Sequence, residues 1–299
     1  MEINPCIWFD SEAEEASKFY TTIFPDSKIL FSLPYTKVGY EYHGKEEGTI
    51  STITFELMKK KFIALNGGPL FKLSEAISFY VYCGSDEFFE KLFNSLTEEG
   101  NVLIPKDKYF WSDKYAFIKD KFGVFWQLDI NDIDSAQKIV PSLLFVNEKY
   151  LNVNEAVNFY TSIFPDSKII MKFPYPDQNE NQTEAILFSQ FSLAGNLFNA
   201  SSGGELQHSF DFNESISFVV NCKTQDEIDY FWQKLSEKGN EQQCGWLKDK
   251  FGVSWQVIPE NLAEMFLNSD LSKREKILSV IFEMVKIDFE RLEKIYKEN

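Results

Sequence analysis

Few side chains in this sequence could carry covalent or metal chemistry. There are two histidines, His43 and His208, and four cysteines, Cys6, Cys83, Cys222 and Cys244. No two cysteines form a C-x-x-C pair. No H-E-x-x-H places two imidazoles on a helix face, and no G-x-S-x-G elbow lifts a serine nucleophile. Both histidines fall in polar loops and read as exposed loop residues. Cys83 and Cys222 follow apolar strands and read as buried structural thiols. Gln127 and Gln256 end matching strands, where an amide could orient a ligand or tie the sheet together.

Charge narrows the partners. Acidic residues number 46 and basic residues 30, for a net charge of −16 and a pI near 4.7. Binding to nucleic acid needs a basic face, and anionic lipid repels such a chain, so neither is expected. Only Arg274 and Arg291 are arginines, so an anionic ligand would rest on lysines or backbone N–H groups. No run of about 18 apolar residues suggests a membrane span. Met1-Glu2-Ile3-Asn4-Pro5 lacks the basic and apolar regions of a signal peptide. With unpaired thiols, this points to a cytoplasmic protein, in which the N-x-[ST] sequons at Asn181, Asn199 and Asn213 are chance matches.

The 299 residues contain an internal duplication. Phe19 to Ile29 recurs as Phe159 to Ile169 with ten of eleven residues identical. Ile77-Ser78-Phe79 recurs as Ile216-Ser217-Phe218. Lys119 to Gln127 recurs as Lys248 to Gln256, with Phe125 alone changed, to Ser254. Three blocks in one order make two tandem domains, matching the roughly 150 residues typical of one. The second copy is about ten residues shorter in the stretch matching Asn101 to Lys119, where the first carries Tyr109, Phe110, Trp111 and Tyr115. That divergence is either specialisation or loop drift.

Each copy reads as a βαβββ order used twice. Glu12 to Ile23 has apolar residues at helical spacing, stopped by Pro25-Asp26. Ile50 to Met58 alternates as a strand with Ile53, Phe55 and Leu57 on one face. Short strands are expected near Val102 to Ile104 and Tyr115 to Ile118. The expected domains are 1–135 and 138–260, followed by a helical tail over 261–299. In the tail Pro259 to Leu267 reads as a helix, Ser272-Lys273-Arg274-Glu275 as a capping box, and Asp288 as the cap of a last helix. The apolar stripe of this tail must be covered, by packing across the two copies or by a homodimer contact.

The pattern W-F-D-x-x-A-E-E-A-x-x-F-Y-x-x-I-F-P-D-S-K-I, then A-I-S-F, then K-D-K-F-G-V-x-W-Q, resembles the PhnB-like branch of the vicinal oxygen chelate superfamily. Glyoxalase I, bleomycin-resistance proteins and extradiol dioxygenases share its βαβββ module. The resemblance covers nearly the whole chain. It implies an α+β fold: tandem glyoxalase-like domains, each of two βαβββ modules forming a cupped mixed sheet, plus the C-terminal helical tail. Some members carry a label borrowed from a ubiquinone methyltransferase. Neither Gly67-Gly68 nor Gly203-Gly204 sits in the strand-to-helix glycine frame that holds a nucleotide cofactor, so that activity is not expected.

Enzymes of the superfamily hold a divalent ion with His and Glu at strand ends. The matching positions here are Asn4 or Pro5, Ala64, Ala76 or Ile77, and Gln127 in the first copy. In the second they are Pro141 or Ser142, Asn199, Ser215 or Ile216, and Gln256. None supplies imidazole or carboxylate, so neither a metal nor another cofactor is expected.

If the sheets curl, the residues opposite the apolar faces look into the cup. The candidate ligand-binding set is Thr54, Glu56, Asn66, Tyr80, Tyr82, Phe125, Gln127, Gln190, Asn199, Asn221, Ser254 and Gln256. Glu56 is the only acid on an inward strand face. It is a candidate proton acceptor or partner for a cationic ligand, or else an ordinary exposed glutamate beside Lys59 to Lys61. Trp8 either lines the pocket or fills the core. Three functions follow: a metal-free protein binding a small organic molecule, a metal-dependent enzyme of the same superfamily with unconventional ligands, or a scaffold for protein contacts.

Overall fold

The structure is a computed structural model that describes residues 1–175 and 185–298. The sequon at Asn181 lies outside the described residues. The first copy begins with β1 (Ile3–Phe9), α1 (Ala13–Ile23), β2 (Lys28–Pro34), the short α2 (Tyr40–His43), β3 (Ile50–Leu57) and β4 (Lys60–Asn66). Its second module is β5 (Ile77–Tyr82), α3 (Asp86–Thr97), β6 (Asn101–Tyr109), β7 (Ser112–Lys119) and β8 (Phe125–Asp129). The second copy repeats this order as β9 (Ile139–Phe145), α4 (Val153–Ile163), β10 (Lys168–Pro174), β11 (Ile186–Leu193) and β12 (Asn196–Ser202). It continues with β13 (Ile216–Cys222), α5 (Gln225–Ser236), β14 (Asn240–Glu241), β15 (Trp246–Lys248) and β16 (Ser254–Pro259). The tail is α6 (Leu262–Leu267), α7 (Leu271–Phe282) and α8 (Phe289–Lys297).

The fold is α+β with tandem glyoxalase-like copies, but its sheets are shared between them. One eight-stranded sheet runs β14-β15-β16-β13-β1-β4-β3-β2, and the other β10-β11-β12-β9-β5-β8-β7-β6. Antiparallel seams join β1 to β13 and β5 to β9, so every cup takes one module from each copy. The sequence-based expectation of one cup per copy is corrected here. The physical reason is degeneracy: the duplicated edges are alike, and no local pattern states which partner an edge will take. Near the junction Lys60 Nζ donates to Ile3 O at 2.7 Å and to Asn196 Oδ1 at 2.9 Å. Lys60 and Asn196 hold the same place in their respective copies. Burial lowers the Lys60 ammonium to about 8.

The two best-repeated sequence blocks meet in the core. Asp120 is buried and accepts from Tyr20 Oη at 2.6 Å, Trp126 Nε1 at 2.8 Å, Phe122 N at 2.9 Å and Val124 N at 3.0 Å. Asp249 does the same with Tyr160 Oη at 2.7 Å, Trp255 Nε1 at 2.8 Å, Phe251 N at 2.9 Å and Val253 N at 3.1 Å. The F-Y block on α1 or α4 is thereby pinned to the K-D-K-F-G turn of the same copy. A buried carboxylate is tolerable only with such a full set of donors. Each copy is therefore stitched internally through its core, while its strands pair outward with the other copy.

Local signals explain the starts of four helices. Ser85 and Thr224 cap α3 and α5 by accepting from the third residue on. In the tail Asp288 caps α8, as expected. The cap of α7 is Asp270, which accepts from Lys273 N at 2.8 Å, so the capping box placed at Ser272 is corrected. Asp and Ser compete for that role, and an earlier cap lets Leu271 join the helix. The short strands expected within Asn101 to Ile118 are one long hairpin, β6 and β7, paired from Asn101–Lys119 to Tyr109–Ser112. The charged run Lys106-Asp107-Lys108 hides this strand from an apolar-alternation reading. The tail touches both copies: Phe282 stacks on Tyr42 at 5.9 Å, and the Cys244 and Gly245 N–H groups donate to Met284 O and Val285 O at 2.8 Å.

Candidate functional site

Strand parity assigns the concave faces. In the first sheet Asn4, Cys6 and Trp8 of β1 sit beside Ile63 and Leu65 of β4, with Thr52, Thr54 and Glu56 of β3 beyond. On the other flank lie Ser217, Val219 and Asn221 of β13, Ser254 and Gln256 of β16, and Trp246 and Lys248 of β15. In the second sheet the face carries Val140, Ser142, Leu197, Asn199, Gln190, Ser78, Tyr80, Tyr82, Phe125, Gln127, Asp129, Tyr115 and Phe117.

These faces differ in kind. Tyr80, Tyr115, Phe117, Phe125, Val140 and Leu197 are all buried and form a hydrophobic cluster separate from the main core, joined by Tyr82, Ile104 and Tyr109. Polar groups there bond to one another. Tyr80 Oη donates to Asp129, whose Oδ1 also accepts from Ser112 Oγ at 2.7 Å. Gln127 donates to Ser78 Oγ at 2.8 Å and accepts from Tyr115 Oη at 2.7 Å. Gln190 Nε2 reaches Tyr82 Oη at 2.9 Å and Asn199 Oδ1 at 3.1 Å. Burial, with the Asp129 charge, raises the Tyr80 and Tyr115 phenols. This cup is filled by its own side chains.

The other cup is open. A cleft of about 270 Å³ is lined by Trp8, Phe71, Trp246, Glu214, Gln242 and their neighbours. The Trp8 ring meets Phe71 edge-on at 5.0 Å and Trp246 edge-on at 6.3 Å. Trp8 Nε1 donates to Gly68 O at 2.7 Å, and a Cβ on Gly67 would lie 2.1 Å from the indole. The Gly67-Gly68 pair thus seats a tryptophan. Glu214 Oε1 accepts from Lys248 Nζ at 2.8 Å and Gln242 Nε2 at 3.0 Å. Burial alone would raise the Glu214 carboxyl, but the bonds from Lys248 and Gln242 prevail and hold it below its usual value. On the cup floor Gln256 Nε2 donates to Ser217 Oγ at 2.9 Å, as Gln127 does to Ser78. Ser254 Oγ is fully buried and has no hydrogen-bond partner.

The candidate set divides accordingly. Thr54, Glu56, Asn221, Ser254 and Gln256 face the open cup, while Tyr80, Tyr82, Phe125, Gln127, Gln190 and Asn199 face the filled one. Asn66 belongs to neither and is a correction. It lies on the core face beside Phe62 and Ala64, its Oδ1 accepts from Ala13 N at the start of α1 at 2.9 Å, and its Nδ2 donates to Ile50 O at 3.0 Å. A one-residue slip in parity moves a side chain to the opposite face, and Ile63 and Leu65 hold the inward places. Glu56 stands between Lys28 and Lys61 in register and is partly exposed. Trp8 lines the cleft. Trp246, Phe71 and Glu214 escaped the sequence reading because two lie in loops and Trp246 is on a three-residue strand.

The residue types at the strand ends do not suit a divalent ion. The open cup places Cys6, Ile63, Ser217 and Gln256 in its central rows, and the filled cup places Ser142, Asn199, Ser78 and Gln127 there. Burial pushes the Cys6 thiol up to about 12, against weaker bonds from Gln256 and Ser217, so it carries no charge near neutrality. Cys83 and Cys222 are likewise pushed to about 12, and Cys244 to about 11, chiefly by burial. Among the described residues no three His, Cys, Asp or Glu side chains cluster to hold a metal. His43 ends the short helix α2 rather than lying in a loop, its Nδ1 accepting from Lys45 N at 3.0 Å, and His208 sits in a loop near Gly203 O. No helix among the described residues is long and apolar enough to cross a membrane.

Two shared, curled sheets built from four βαβββ modules define a tandem protein of the glyoxalase, or vicinal oxygen chelate, superfamily. The chain belongs to the family described as 3-demethylubiquinone-9 3-methyltransferase, whose model matches residues 1–129 and again 137–258. Among solved structures it is similar to glyoxalase I from Zea mays, with a TM-score of 0.56, 12% identity, and coverage of 89% of this chain and 96% of that one. The PhnB protein from Bacillus cereus is 33% identical over 43% of this chain and 98% of its own, with a TM-score of 0.40. A protein from Staphylococcus aureus is 31% identical over 44% of this chain and 97% of its own, with a TM-score of 0.19. No curated protein matches the chain.

Proposed function

We propose that this protein binds a small organic molecule in the open cup, without a metal, and that the filled cup is scaffold. The observation that carries the reading is the aromatic cleft of about 270 Å³ beneath Trp8, Phe71 and Trp246, set against a second cup packed with its own rings. Apolar walls with a few polar groups are the usual makeup of a small-molecule site. Neutral amides and hydroxyls at the strand ends speak against the metal-dependent alternative. Methyl transfer to a quinone draws no support from the glycine pair, which seats Trp8. A scaffold role fits the filled cup, whose polar groups already satisfy one another.

The test is a native mass spectrometry and thermal-shift screen of the full chain against small metabolites. One bound molecule per chain is expected, with binding weakened in Trp246→Ala, which removes a wall of the cleft. Two equivalent molecules per chain, or unchanged binding in that variant, would contradict the assignment.

A further inference from the structure

Among the residues that line the cleft of the open cup, Glu214 is the charged one. Lys248 and Gln242 both reach Oε1 of Glu214, at 2.8 and 3.0 Å, and its own backbone N–H also bonds the carboxylate, while no side-chain hydrogen bond to Oε2 is found among the described residues. Glu214 is buried and lines the cleft together with the three rings. A carboxylate oxygen accepts and cannot donate, so it selects a ligand that brings an N–H or O–H. Trp8, Phe71 and Trp246 present ring faces and edges that suit a flat ring, and ring faces favour positive charge. A cleft of about 270 Å³ suits one or two fused rings, since benzene fits a cavity of roughly 150 Å³. The chain's net charge of −16 attracts cations and repels anions.

We infer that the open cup takes a planar nitrogen-bearing aromatic, its N–H group donating to Glu214 Oε2 and its ring lying against Trp8 and Trp246. The inference rests on the small-molecule reading of this cup and adds the ligand's chemical class. Lys248 acts as a positioning residue: it holds Oε1 and keeps the carboxylate ionised, so that Oε2 stays an acceptor.

Three probes of one shape separate the alternatives. Benzamidine is a planar cation with donors, benzamide a neutral donor, and benzoate an anion without a donor. Calorimetric titration of the full chain should give the order benzamidine, then benzamide about tenfold weaker, then benzoate weakest. Glu214→Gln should cost benzamidine about tenfold while changing benzamide by no more than about twofold. Should that variant fail to fold, Trp246→Ala should weaken benzamidine and benzamide together by about tenfold. Benzoate binding as tightly as benzamidine, no binding by any probe, or indifference of benzamidine to Glu214→Gln overturns the inference. If the probes bind in the wrong order and Trp246→Ala weakens them all, the ligand class is wrong while the cup still binds. If Trp246→Ala changes nothing, binding lies outside the cleft and both readings fall.

Discussion

The two cups share one blueprint and part at a handful of equivalent positions. Tyr80, Tyr82 and Phe125 put rings on the face of the filled cup, whereas their counterparts Val219, Asn221 and Ser254 put smaller side chains on the face of the open one. The hairpin β6–β7 adds Tyr115 and Tyr109 to the filled side. The second copy has only a two-residue β14 and a three-residue β15, and its connecting loop is braced by the tail at Cys244 and Gly245. In the nine-residue block that otherwise repeats unchanged, the one altered position is a cup-floor position. Duplication supplies two identical scaffolds, and filling one concavity with rings turns it into core, which frees the other for a ligand.

Breaking what the copies share should have the largest effect. Asp120→Ala and Asp249→Ala each strand a buried tyrosine, a buried indole and two backbone N–H groups. Each should cost about 3–5 kcal/mol in urea unfolding of the full chain. A loss below about 1 kcal/mol in either would show that the pins are decorative.

The difference between the cups predicts opposite outcomes at one equivalent position. Phe125→Ala should cost about 3 kcal/mol, because it opens a void in the filled cup. Ser254→Ala should be neutral or stabilising by up to about 1 kcal/mol, because it removes a buried hydroxyl that has no partner. Equal losses at both sites, read from urea midpoints, would erase the distinction.

A pH profile sharpens the comparison of the pins. Burial pushes the Asp249 carboxyl up to about 6, from an ordinary 3.8, although four donors pull it down. The folded state therefore takes up this proton before the unfolded state does. Its contribution is whole below about pH 4 and is lost as pH rises through 6. The stability gap between the wild type and Asp249→Asn should then shrink between pH 4 and pH 7, on the order of 2–3 kcal/mol. A gap that widens with pH would refute the burial argument. The smallest effect belongs to the hairpin tip: Phe110 is 90% exposed, so Phe110→Ala should stay within about 0.5 kcal/mol in the same assay.

Much of this was legible in the residues. The duplication, the βαβββ order and the inward placement of Tyr80, Phe125, Gln127, Ser254 and Gln256 all follow from repeated blocks and a period of two. Asn66 was misplaced because a strand end gives no second apolar residue to fix its parity. Trp246 and Glu214 went unseen because short strands and loops carry no period. The long hairpin went unseen because its charged residues break the alternation.

The sequence by itself determined the four modules and the neutral side chains at the strand ends. These are local or repeated features, and local sterics and periodicity write them directly into the chain. Tertiary structure alone decided that each sheet is shared between copies, that one cup is filled, and that Trp8, Trp246 and Glu214 converge in the other. Such choices depend on which of two similar edges pair and on which side chains meet across a curved surface, and those contacts join residues as far apart as Trp8 and Trp246.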